Sequence, residues 1–148
     1  MYRLVSFIVL FALVSTLLYF HNQNSHANMA AHSMAQGSVE IPADEKIPVL
    51  QGELKQDDMG SWMLKLDMVN FQFTPEKLGQ PSTSLHEGHA HLYINGKKIG
   101  RIYGPYTDLG PLDKGTHAIR VALYTNDHQV LLSGGKEIAF SQTVEVNN

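Results

Sequence analysis

The chain predicts an all-β protein: a single antiparallel, immunoglobulin-like sandwich of seven to eight strands behind an N-terminal export segment. Three observations carry this expectation. No stretch after Phe20 sustains a helical period. Several runs instead alternate apolar and polar side chains with a period of two, at the spacing of a sandwich. Asn95-Gly96, between two such runs, is a hairpin signal, because both residues tolerate the positive φ of a type I′ turn.

Taken in order, Met1-Tyr2-Arg3 precedes an apolar run from Leu4 to Phe20, then polar residues ending in the small-x-small pattern Ser25-His26-Ala27. That layout is a secretory signal peptide over residues 1–27, cleaved after Ala27. The alternative is an uncleaved anchor, since the run is long for a signal core and slightly short for a spanning helix. Residues 28–47 read as a flexible tether containing Met29, His32 and Met34, and the folded domain is expected over 48–148.

Val49–Leu54 is the first expected strand and 57–60 a turn. Trp62, Leu64, Leu66 and Met68 alternate with Met63, Lys65, Asp67 and Val69, which places the first set inward. Phe71 and Phe73 follow before Pro75, and 79–84 is a loop. The next strand runs from about His89 to Asn95 and returns over Ile99–Tyr103. Residues 104–115, rich in Gly and Pro, leave room only for short extended pieces. In Thr116–Thr125 the residues His117, Ile119, Val121 and Leu123 share one face, with Ala118, Arg120, Ala122 and Tyr124 on the other. Gln129–Leu132 and Ile138–Val146 complete the set.

Cleavage would leave about 120 residues, enough for one domain with its own core. The net charge of −3 becomes one unit more negative on losing Arg3, so charge gives no reason to expect nucleic acid as a partner. The chain has no cysteine, which excludes disulfides, zinc–thiolate sites and blue-copper sites.

Function is sought first in the histidines. Three of the eight lie within His86-Glu87-Gly88-His89-Ala90-His91. On a strand His89 and His91 project from one face, roughly 6.6 Å apart along the chain, so that both imidazoles can meet one ion. His117 and His128 bracket a later strand and lie roughly 30 Å apart if it is straight, so only one of them can join the pair. The candidate metal ligands are therefore His89, His91, His117, His128 and His86. Imidazole suits copper and zinc, and the thioethers of the tether put copper ahead. Neutral rings bind metal, so affinity is expected to fall as pH drops through about 6.5. No nucleophile elbow, His-Glu-x-x-His helix or phosphate loop is present, which points away from an enzyme. An enzyme would have to use a histidine-bound metal with Glu87.

One series of residues resembles a known group. Asn70-Phe71-x-Phe73-x-Pro75-Glu76, Gly88-His89-Ala90-His91-Leu92-Tyr93-Ile94-Asn95-Gly96, Arg101-Ile102-Tyr103-Gly104, Gly115-Thr116-His117 and Asn126-Asp127-His128 are similar to an uncharacterised family of small exported bacterial β-sandwich proteins. That family carries a Gly-His-x-His-Leu strand, a Gly-x-His strand start and an Asn-Asp-His strand end. The resemblance spans about residues 60–146. It implies the fold and a histidine set at His89, His91, His117 and His128, without His86, and it implies no reaction.

The expectation is thus an exported, non-enzymatic metal-binding protein of the cell envelope. It would be periplasmic or secreted, or anchored in the inner membrane if the leader is retained, with a metal ion and an envelope protein as partners. The alternative is a structural or protein-interaction module of the periplasm whose histidines fix strand ends by hydrogen bonds.

Overall fold

The computed structural model describes residues 2, 3, 5–17 and 37–147. The tether histidines and methionines and the cleavage site at Ala27 lie outside them. Residues 2, 3 and 5–17 are helical, and among the described residues no helix is long and apolar enough to cross a membrane. The chain divides into two compact units, Met1–Ala35 and Gln36–Asn148.

Among the described residues the second unit is all-β apart from a 3-10 turn at Pro75–Lys77. Its strands are β1 (Ser38–Glu40), β2 (Val49–Gln56), β3 (Ser61–Val69), β4 (Gln72–Phe73), β5 (Glu87–Ile94), β6 (Lys97–Ile102), β7 (Tyr106–Pro111), β8 (Gly115–Tyr124), β9 (Val130–Ser133), β10 (Lys136–Glu137) and β11 (Ala139–Val146). The three shortest, β1, β4 and β10, are not legible as alternation because two or three residues show no period.

Two sheets form. The smaller is antiparallel, in the order β2-β3-β7; the larger runs β1-β9-β8-β5-β4, with β10 on β9, β11 on β8 and β6 on β5. The larger sheet departs from the expected antiparallel arrangement, because β1 pairs with β9 and β4 with β5 in parallel. Both parallel strands are short pieces laid along the sheet's margins by long connections, not hairpin partners.

The folded unit also begins earlier than the expected residue 48. Val39 pairs with Leu131, and Ile41 is buried in the core. Two apolar residues suffice to draw this end of the tether into the sheet. Residues 104–115 hold a full strand, β7, whose Tyr106-Thr107-Asp108 run pairs with β3.

The parity read along each long strand is the parity observed. Leu50, Leu54, Leu64 and Leu66 of the smaller sheet join Ala90, Leu92, Ile102, Ile119, Val121, Leu123 and Val144 of the larger in one hydrophobic cluster. Gly52 packs directly under the Phe140 ring, since a Cβ there would come within 2.7 Å of it. Ala90 and Leu92 of β5 face this core, so alternation turns His89 and His91 to the opposite face. There a second, smaller cluster of Ala122, Tyr124 and Val130 forms.

Candidate metal centre

The centre lies on that opposite face of the larger sheet. Cross-strand pairing sets its rows, because directly opposed residues of antiparallel strands point the same way. His89 pairs with Tyr124, and His91 lies between Ala122 and Arg101. Tyr93 lies between Arg120 and Lys98. A bulge after Leu92 brings Arg101 rather than Gly100 opposite His91.

The third histidine arrives on a turn. Thr125–Gln129 closes with Thr125 N–H donating to the Gln129 carbonyl at 3.0 Å and His128 N–H to the Thr125 carbonyl at 3.1 Å. The Thr125 hydroxyl donates to Asp127 Oδ1 at 2.5 Å and accepts from Gln129 N–H at 3.0 Å. Asn126 is buried, and its Nδ2 donates to the buried Thr74 hydroxyl at 3.0 Å. His128 itself has φ +69°, an unfavourable left-handed conformation for a residue with a Cβ. This geometry places its ring 4.9 Å from that of His89, edge to face.

His89, His91 and His128 each offer one ring nitrogen to a group whose members all lie within 4.8 Å of one another. The two Nε2 atoms of His89 and His91 are 3.0 Å apart, close to the roughly 3.3 Å between two nitrogens on one tetrahedral ion at about 2.0 Å. Both residues are fully buried, His89 and His91 at 0 % exposure each, and His128 is half-buried. The Tyr124 ring stacks on His91 with centroids 3.8 Å apart, and Tyr103 lies 5.9 Å from His89. The buried His89 Nδ1 and His128 Nε2 find no protein partner. Orphaned polar atoms in a buried cluster are costly and call for a reason.

Electrostatics keep the rings neutral. Burial first, then the neighbouring His128, Arg101 and Lys98, lowers His89 from 6.5 to about 4. Burial and Lys98 lower His91 to about 3. His128 is also shifted down, by burial and by Arg101 and Lys98. Tyr124 is pushed up by burial and by its hydrogen bond with Tyr93, so its hydroxyl stays protonated. The two phenols lie 3.0 Å apart, and the Tyr93 hydroxyl is 3.5 Å from His91 Nδ1. Lys98 Nζ donates to His91 Nε2 at 3.3 Å.

The other two candidates lie elsewhere, with both ring nitrogens in use. His86 contacts the Asn70 carbonyl at 3.0 Å and the Glu45 carboxylate at 2.9 Å. His117 contacts the Asp113 carbonyl at 2.7 Å and Asn95 Nδ2 at 3.2 Å. His117 is at the far end of β8 from Tyr124, and by parity on the core side of the sheet. Of the two histidines bracketing β8, His128 therefore joins the pair. Glu87 is bound to Lys77 at 2.7 Å and is not among the grouped residues.

Sequence reasoning missed Lys98 and Arg101. Lys98 was within reach of the hairpin register across Asn95-Gly96, which sets it opposite Tyr93. Arg101 depends on the bulge, which has no sequence mark. No family model, curated protein or solved structure matches this chain.

Proposed function

We propose that this is an exported, non-enzymatic metal-binding β-protein of the cell envelope, with His89, His91 and His128 as ligands and copper ahead of zinc. The observation that carries the reading is the convergence of three ring nitrogens within 4.8 Å, two of them on fully buried rings. Copper is favoured because divalent copper exceeds zinc in intrinsic affinity for nitrogen sites. Monovalent copper also places less charge beside Lys98 and Arg101. Three protein ligands leave a further coordination position for an outside group.

Its setting is the cell envelope. The two sheets form a sandwich of the immunoglobulin kind, and the protein belongs with the small exported bacterial β-proteins it resembles. It acts in the periplasm or outside the cell, or from the inner membrane if the leader is kept. An envelope protein that supplies or receives the ion is its partner.

Titrating the purified protein with Cu(II), Cu(I) and Zn(II) tests the reading. One ion per chain is expected, lost in His89→Ala/His91→Ala and unaffected by His117→Ala. The competing view, a structural module, draws support from the Tyr124–Tyr93–His91 contacts. It predicts that the double variant lowers Tm while no metal raises the Tm of the unaltered protein.

A further inference from the structure

The centre contains no acidic ligand. Its three histidines are neutral imidazoles, and the exposed Lys98 and Arg101 act on all three as positive charges. Among the described residues neither cation has a carboxylate partner: the contact that Lys98 makes is with His91 Nε2 at 3.3 Å, and the ion pairs formed elsewhere involve Lys55, Lys65, Lys77, His86 and Arg120. A divalent ion held by His89, His91 and His128 would therefore add two positive charges beside Lys98 and Arg101, offset among the described residues only in part, by the Asp127 carboxylate next to His128. Beside two buried rings such an accumulation is unfavourable, by an amount that solvent around the exposed Lys98 and Arg101 reduces.

We propose that the divalent metal centre takes a small diffusible anion as its outside ligand, held between the ion and the side chains of Lys98 and Arg101. The anion site rests on the metal-binding function proposed for the three histidines. The ion would occupy the His91 Nε2 position that Lys98 now contacts, so the ammonium must swing away from the ring. Its flexible stem lets it do so while remaining beside the site. Arg101, opposite His91 across the β5–β6 bulge, supplies a planar donor fork suited to oxyanions. Size follows from enclosure. His89 and His91 are fully buried and the half-buried His128 is the least covered ligand, so enclosure favours a small anion over a bulky one. The anion binds without any bond being broken, and the protein contributes charge and orientation.

Azide is the probe, because its binding to Cu(II) produces a ligand-to-metal charge-transfer band. The Cu(II)-loaded protein is titrated with azide and then with bicarbonate as competitor. The unaltered protein is expected to bind azide at least tenfold more tightly than Lys98→Gln/Arg101→Gln, and bicarbonate should displace it. In a buffer of non-coordinating anions the same double variant should bind Cu(II) more tightly than the unaltered protein, since repulsion and the Lys98 contact are both removed. Lys98→Arg/Arg101→Lys, which keeps both charges, should restore azide affinity and shows that loss of folding is not the cause. Equal azide midpoints in the unaltered protein and the Gln variant, with stoichiometric copper in both, overturn the anion site and leave the metal centre standing. Failure of every form to take up copper overturns both.

Discussion

At the scale of single residues, the centre is defined by histidines held uncharged. In the unfolded chain these rings protonate near pH 6.5; in the folded protein burial holds His89 neutral to about 4 and His91 to about 3. Between those limits the unfolded state binds more protons. Their contribution to stability is therefore complete above pH 6.5 and is lost as pH falls toward 4, by at most ~1.4 kcal/mol per pH unit for each ring. Denaturant midpoints of the metal-free protein at pH 7.5 and pH 5 should show this drop, and His89→Ala/His91→Ala should flatten it; equal slopes in both would contradict the burial argument. The same shift moves the expected pH threshold for metal. Rings already neutral shed no protons on binding, so affinity should hold below 6.5, with His89 and His91 lost as ligands only nearer pH 4. Much of this site was legible. Ala90 and Leu92 on β5, and Ile119 and Val121 on β8, are the apolar alternates of their strands, which sets His89 and His91 on one face and His117 on the other. Strand parity alone thus separates His117 from the pair.

At the scale of elements, β5 and the Thr125–Gln129 turn do the positioning. Gly88 opens β5 where a Cβ would collide with the Tyr124 carbonyl oxygen. The glycine of the Gly-His-x-His run is thus a close-approach residue and not a ligand. Gly88→Ala should push β5 away from β8, with a loss on the order of 3 kcal/mol by thermal or denaturant unfolding and a weakened centre. The turn is held by Asn126, whose amide donates to the buried Thr74 hydroxyl. Asn126→Ala leaves that buried hydroxyl unpaired and should cost about 1–3 kcal/mol. It should also weaken metal binding roughly 10–100-fold by releasing His128, while Ser141→Ala on the neighbouring β11, where the strand is exposed, should change neither. The hairpin at Asn95-Gly96 was readable from two residues, with φ +52° and +78° as its turn type demands. The bulge that aligns Arg101 was not, because one extra residue in a short strand leaves the alternation of its neighbours almost unchanged.

At the scale of the whole molecule, two sheets share a core built from the inward alternates of their long strands, and the all-β class and most strand positions follow from that alternation. The sheet's margins do not. β1, β4 and β10 are too short to carry a period, and their pairing reflects where long connections lay the chain. The tether illustrates the consequence. Ile41 is a core residue at 4 % exposure, so Ile41→Ala should destabilise by about 2–5 kcal/mol, and a chain beginning at residue 48 should unfold at a clearly lower temperature than one beginning at 37. Equal Tm values would mean that β1 adds nothing. The face that this framework leaves for chemistry is the one bearing His89, His91 and His128, grouped there as candidate ligands of one ion. Its most direct test is calorimetric titration of the metal-free protein with Cu(II) and Zn(II) at pH 7, comparing the unaltered chain with His128→Ala and His117→Ala. One ion per chain is expected, with affinity lowered sharply by His128→Ala and untouched by His117→Ala. No stoichiometric ion, or equal loss in the two variants, would contradict a three-histidine metal centre.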